Sequence, residues 1–151
     1  MDNTIAGYGG VLFRRAVECG WIPPNAATGK RAIRDQIRLL PDGEMKWQAL
    51  QAYIYGPGMK DARLMAGVKA FLDACREHGA PVYIVSHKTQ YAAAAPEGPD
   101  LRETALAWLD RHGRLGLARD CVFFEATRAG KLERIRTLGC THFVDDLEET
   151  F

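Results

Sequence analysis

Four short groups of residues in this chain carry the side-chain types needed to handle a phosphate. Ser86, His87, Lys88 and Thr89 follow an apolar run, Val82-Tyr83-Ile84-Val85. Asp145 and Asp146 follow another, His142-Phe143-Val144. Lys131 stands shortly before that second run, and Asp2-Asn3-Thr4 lie at the start. Adjacent carboxylates repel unless a cation neutralises them. Mg²⁺ suits that task, because it takes one or two carboxylates and keeps places for water and phosphate oxygens. A serine hydroxyl and a lysine ammonium facing the same point would hold phosphoryl oxygens. Taken singly, each group has a plainer use. Asp145-Asp146 suits a solvated turn or a helix N-cap, and Ser86 a strand-end cap. Lys131 beside Glu133 and Arg134 suits a surface charge, and Asp2-Asn3-Thr4 a loose terminus. His87 and Lys88 fit substrate contact and an exposed loop equally well.

For these groups to act together, the chain has to bring them to one place, and its periodicity suggests how. Up to about residue 66 the pattern is helical, and no strand is expected before residue 80. Ile33, Ile37 and Leu40 recur at helical spacing after Thr28, a candidate N-cap. Asp42 is placed to cap a second helix, with Trp47, Leu50 and Ile54 on one face, before Gly56-Pro57-Gly58 interrupts it. Gly7, Gly9 and Gly10 lack the strand and lysine of a phosphate loop and read as a flexible connection. Beyond residue 66 the pattern alternates. Val68, Phe71, Leu72 and Cys75 mark an amphipathic helix closed by Gly79 and Pro81, and the run 82–85 follows. Asp100 with Glu103 forms a capping box for a helix carrying Leu101, Ala105, Trp108 and Leu109. The next run is Cys121-Val122-Phe123-Phe124, and the helix of Leu132, Ile135 and Leu138 leads to the last run, 142–144. Short apolar runs between capped helices are the pattern of βαβ units with a buried parallel sheet. Chemistry in such sheets gathers at the carboxyl ends of the strands, where Ser86 to Thr89 and Asp145-Asp146 fall.

Composition narrows the function classes. The 151 residues suit one compact fold, with 47% hydrophobic and 26% charged residues. Lys and Arg number 20 against 19 Asp and Glu, a net charge of +1 that gives no case for nucleic acid or an acidic membrane as partner. No apolar run approaches the ~20 residues of a membrane span, and MDNTIAGYGG lacks the order of a signal peptide. A cytoplasmic protein is expected. Cys19, Cys75, Cys121 and Cys140 are too scattered for a zinc ribbon or a redox pair and are expected to be small buried thiols.

With these groups in this order, the sequence resembles the haloacid dehalogenase (HAD) superfamily of Mg²⁺-dependent phosphohydrolases. That family's first motif is a strand ending in Asp-x-Asp-x-Thr, whose tail Asp2-Asn3-Thr4 matches. Val82 to Ser86 matches the second motif, Lys131 the third, and Phe143-Val144-Asp145-Asp146 the fourth. More narrowly, IVSHKT and LGCTHFVDDLEE resemble a bacterial subgroup of small HAD-like hydrolases.

The resemblance implies an α/β fold: a Rossmann-like three-layer core with a parallel sheet and a small helical cap inserted after motif one. It divides the chain into a motif-one remnant and hinge (1–7), a cap (8–66) and the core (67–151). It makes Asp2 the general acid/base and, through its carbonyl, a Mg²⁺ ligand. Ser86 and Lys131 become the phosphoryl-binding catalytic residues, with Thr4, Ser86, His87 and Lys88 towards substrate. Asp145 and Asp146 complete the metal ligands. The substrate would be a small phosphorylated molecule, hydrolysed through an aspartyl-phosphate. The family's nucleophilic aspartate, however, falls immediately before Met1. The resemblance therefore implies a chain without its central first strand and inactive as written, with the natural start upstream. Exposed strand edges would then favour a homodimer.

The alternative is a non-catalytic HAD-like remnant that binds phosphate or Mg²⁺, or a partner protein. A phospho-acceptor receiver domain fits less well, because it has its acids at the first strand and its lysine late. Lys30, Arg31, Arg34 and Arg38 suit a solvated face or an anionic substrate. Trp47, Tyr53 and Tyr55 suit cap core or substrate contact.

Overall fold

The computed structural model describes residues 1–145 of the 151. Asp146, an expected metal ligand, lies outside the described residues. The first helices form as their spacing requires. Helix α1 (Gly9–Glu18) buries Val11, Leu12 and Ala16, α2 (Lys30–Arg38) buries Ile33 and Ile37, and α3 (Gly43–Tyr55) buries Trp47, Leu50 and Ile54. The α2 and α3 sets recur at three- or four-residue intervals, and in α1 Leu12 and Ala16 are four apart with Val11 beside them, so one stripe of each helix faces inward.

The helix starts differ in mechanism from the sequence reading. Gly29, not Thr28, is the N-cap of α2, and Asp42 precedes α3 in a left-handed conformation with no side-chain capping bond. Gly9 and Gly10 open α1, and Gly7 belongs to a strand, so these glycines are not a loose connection. The helical region also contains a strand pair that its periodicity did not indicate. β1 (Ala6–Gly7) pairs antiparallel with β2 (Arg63–Leu64). Two residues are too few to show an alternating pattern, and this pairing is made across more than fifty residues of chain.

Past β2 the order is α4 (Val68–Glu77), β3 (Ile84–His87), α5 (Leu101–Arg111), β4 (Val122–Glu125) and α6 (Arg128–Thr137). β3 and β4 pair in parallel, with Ile84 opposite Val122 and Ser86 opposite Phe124. The fold is therefore mixed α/β, with one parallel pair among the described residues. The expected third run, His142-Phe143-Val144, forms no strand, and Val144 is exposed. A strand exists only by hydrogen-bonding to a neighbour, and among the described residues no strand pairs with residues 142–145. β3 likewise has β4 on one edge and no strand on the other among the described residues.

The expected Asp100 cap forms, and Thr127, which the sequence reading did not single out, caps α6. The Asp100 carboxylate accepts from the amides of Arg102 and Glu103 at 2.8 and 3.1 Å, and the Thr127 hydroxyl accepts from that of Gly130 at 3.0 Å. Gly79 takes a positive φ of 66° after α4, where a side chain would strain the turn. Phe71 is exposed rather than packed, and the four cysteines are half-buried.

One hydrophobic cluster links the helical region to the rest. It includes Leu12, Ile37, Leu50 and Met59 together with Ile84 and Trp108. Trp108 of α5 is fully buried, and its indole N–H donates to the Ala62 carbonyl at 3.0 Å. That bond lets a large aromatic enter the core with no unmet donor. No helix among the described residues is long and apolar enough to cross a membrane.

Gly43 marks the tightest approach between α2 and α3. A Cβ there would lie 2.5 Å from the Ile37 carbonyl oxygen and 2.7 Å from the Arg38 Cα, both main-chain atoms that no rotamer change moves. At Gly9 a Cβ meets nothing within 4 Å. Gly43→Ala should therefore cost about 2 kcal/mol, a Tm loss of roughly 4–8 °C in thermal unfolding followed by circular dichroism. Gly9→Ala should leave Tm unchanged or raise it. Equal Tm values for the two variants would show that the α2–α3 turn opens to admit a methyl group.

Candidate functional site

Successive side chains of a strand point to opposite faces. At the carboxyl end of β3, Ser86 and Lys88 accordingly share a buried side while His87 is exposed. The His87 ring lies 3.1 Å from the Ala126 carbonyl oxygen, away from the two buried groups. The Lys88 amide donates to the Glu125 carbonyl at 2.9 Å, extending the ladder to β4, and its own carbonyl accepts from Arg102 of α5 at 3.0 Å. The main chain at Lys88 is thus held from two elements before its side chain makes any contact.

The Lys88 ammonium sits 3.4 Å from Asp2 Oδ1 and 3.3 Å from Oδ2. Its side chain is 3% exposed and that of Asp2 24%. The sequence reading directs Lys88 to substrate; in the fold its charge is engaged by Asp2, since a buried cation needs a counter-charge. Tyr8 completes the arrangement, its hydroxyl donating to Asp2 Oδ1 at 2.7 Å. The Tyr55 ring lies beneath the ammonium at 5.0 Å and meets Tyr8 edge-on at 5.2 Å.

A tight turn presents Asp2. The Asn3 amide donates to the Ala6 carbonyl at 2.8 Å, and the amides of Ile5 and Ala6 donate to the Met1 carbonyl at 2.8 and 3.1 Å. Asn3 adopts a φ of +56°, a conformation asparagine tolerates better than most residues. The Thr4 hydroxyl lies 3.5 Å from the Asp2 carbonyl oxygen, so Thr4 belongs to the turn.

Helix α6 supplies a second pair. Lys131, one turn past the Thr127 cap, is buried and forms an ion pair with Asp145. Their side chains are 9% and 7% exposed, and the ammonium stands 5.0 Å from the Phe143 ring centre. Both pairs stand near the carboxyl ends of the parallel strands: Lys88 directly follows β3, and Lys131 lies near the start of α6, which follows β4. Ser86 lies at the same strand end. The residue is 4% exposed, and its hydroxyl has no hydrogen-bond partner among the described residues. A buried polar group left so costs roughly 1–3 kcal/mol, and a ligand oxygen would satisfy it.

The donors in the cluster are oxygens. Asp145 offers a carboxylate and Asp2 a main-chain carbonyl, a hard-oxygen set of the size Mg²⁺ takes when water and phosphate fill its other positions. Among the described residues no group of three or more His, Cys, Asp or Glu is gathered to hold a metal by itself. A cleft of about 220 Å³ lined by Leu72, Val82, Tyr83, Leu117 and Cys121 lies at the amino ends of β3 and β4, opposite the cluster. Cavity size therefore does not mark this site; charge and burial do.

The basic residues of α2 are otherwise engaged. Arg31 and Arg34 pair with Asp35 and Arg38 with Glu44, as a solvated face would. Lys30 donates to the Tyr55 hydroxyl at 3.2 Å. Trp47 is core, while Tyr55 joins the site. Tyr8 is the residue sequence reasoning missed. Six positions past Asp2, at a strand–helix junction, no periodic signal marks it.

Burial, then the Asp2 charge, then the hydrogen bond to Asp2 all push the Tyr8 phenol well above its usual value. The unfolded chain releases this proton near pH 10 and the folded chain keeps it. Stability from Tyr8 is therefore complete below that pH and falls as pH rises above it, by up to about 1.4 kcal/mol per pH unit. Between pH 9 and 11 the Tm of Tyr8→Phe should fall less steeply than that of the parent. Identical slopes would show that the Tyr8 hydroxyl is not held against Asp2.

No family model, curated protein or solved structure matches this chain.

Proposed function

We propose that this chain carries the phosphate-binding, metal-binding and acid/base residues of a Mg²⁺-dependent phosphohydrolase of the HAD type, acting on a small phosphorylated substrate. The observation that carries the reading is the buried Ser86 hydroxyl, without a partner among the described residues, at the strand end where Lys88 pairs with Asp2 and which α6 borders with its buried Lys131–Asp145 pair. Such a place has a donor for a phosphoryl oxygen, cationic charge to offset it and a carboxylate to move protons.

In this reading Ser86 donates to a phosphoryl oxygen and Lys131 offsets its charge. Asp145 and the Asp2 carbonyl would hold Mg²⁺, with Asp146 as a further ligand. When bound, the ion neutralises phosphoryl charge and aligns the group for in-line attack. The nucleophile would be an aspartate two positions ahead of Asp2, where the HAD resemblance puts it. The carboxylate attacks phosphorus, the ester oxygen leaves with a proton from Asp2, and an aspartyl-phosphate forms. Asp2 then takes a proton from water, whose oxygen attacks phosphorus and releases phosphate and the free nucleophile.

Hydrolysis of para-nitrophenyl phosphate in Mg²⁺ tests this, on the chain as given and on one extended upstream in its reading frame. Turnover is expected from the extended form, falling about 100-fold or more in Asp2→Asn. If both forms stay inert while folded and binding Mg²⁺, the chain is a non-catalytic binding module. Activity in the chain as given would displace the nucleophile from the position assigned to it.

A further inference from the structure

Lys88 is a buried cation that the phosphohydrolase reading leaves without a part, and its contacts suggest one. We propose that Lys88 and Tyr8 are positioning residues for Asp2, turning its Oδ2 towards the reacting groups. The proposal rests on the phosphohydrolase reading and adds how its acid/base is held.

The two carboxylate oxygens of Asp2 are not equivalent. Oδ1 accepts from Tyr8 at 2.7 Å and from Lys88 at 3.4 Å, which occupies both of its lone pairs. Oδ2 accepts from Lys88 alone at 3.3 Å, leaving a lone pair for a proton exchanged with ester oxygen or water. Neither donor is free to wander. The Lys88 main chain is bonded to Glu125 and Arg102, and the Tyr55 ring lies under its ammonium. Tyr8 is 3% exposed, with its hydroxyl also 3.7 Å from Met59 Sδ and its ring against Tyr55.

This arrangement also relates the helical region to the chemistry. Tyr55 is the last residue of α3, so the far end of that helix closes over the ammonium that aligns Asp2. A carboxylate fixed on two sides needs no search for its working rotamer. Misplacing a reacting group by about 1 Å costs on the order of 100-fold in rate.

Two measurements separate this proposal from the reading beneath it. The first is a thermal double-mutant cycle with Asp2→Asn, Lys88→Met and the pair, which needs no activity. If the residues hold each other, the two Tm losses are not additive. The second is steady-state hydrolysis of para-nitrophenyl phosphate in Mg²⁺ by the upstream-extended chain and its Lys88→Met and Lys88→Arg variants. Lys88→Met should lower kcat about 10–100-fold with KM within about twofold of the parent. Lys88→Arg, which keeps the charge over Tyr55, should recover part of the loss. Additive Tm losses overturn the pairing. Unchanged kcat in Lys88→Met overturns the positioning role, and a raised KM at unchanged kcat makes Lys88 a substrate-binding residue instead. If the extended parent itself shows no turnover, the phosphohydrolase reading falls and the catalytic role of the pair with it. Non-additive Tm losses would in that case show the contact to be structural.

Discussion

A lysine ammonium taken out of water has to find a carboxylate, and this fold meets that demand twice at one end of a two-stranded sheet. Lys88 reaches Asp2 and Lys131 reaches Asp145. The lysines come from a strand end and a helix, and their partners from opposite ends of the described chain. Each pair therefore fixes a piece of backbone with little regular structure of its own. Removing one member of such a pair would leave the other charge buried and unmet, which costs more than forming the pair gains.

The helices make those positions possible. Trp108 joins α5 to the Ala62 carbonyl, and Arg102 joins the same helix to the Lys88 carbonyl. One helix thus ties the core beneath the helical region to the strand end that carries the site. β3 and β4 are four residues each, and their pairing sets Ser86 and Lys88 on the buried side and His87 outside. With so short a sheet, the direction of each functional side chain depends on the strand period and on the helices packed over it.

The proposed chemistry rests on what this end of the sheet contains. Its charged groups are two ammoniums, each offset by a carboxylate, and the buried Ser86 hydroxyl has no partner among the described residues. In the proposed reading a phosphoryl oxygen would supply the acceptor that this hydroxyl lacks. The aromatic pair Tyr8–Tyr55 adds a dry wall beside Asp2 and a ring face for Lys88. Electrostatic interactions are stronger in such a place than in water.

The sequence by itself determined most of the helices and their inward faces, and it singled out Asp2, Ser86, Lys88, Lys131 and Asp145 as candidates for the site. Ile33 with Ile37, and Trp47 with Leu50 and Ile54, announce their helices because the α-helical period is local. Asp100 announces a helix start for the same reason. Ser86, Lys131 and Asp145 stand out because chemistry-bearing residues follow, or lead into, short apolar runs. What only the tertiary structure decided is who meets whom. The β1–β2 pair, the separation of His87 from Lys88, and the assignment of Lys88 and Tyr8 to Asp2 depend on contacts between distant segments. The run 142–144 shows the same limit from the other side: apolar residues permit a strand, but pairing with a neighbour makes one. Periodicity is written in adjacent residues, whereas a counter-charge or a pairing edge is supplied by another part of the chain.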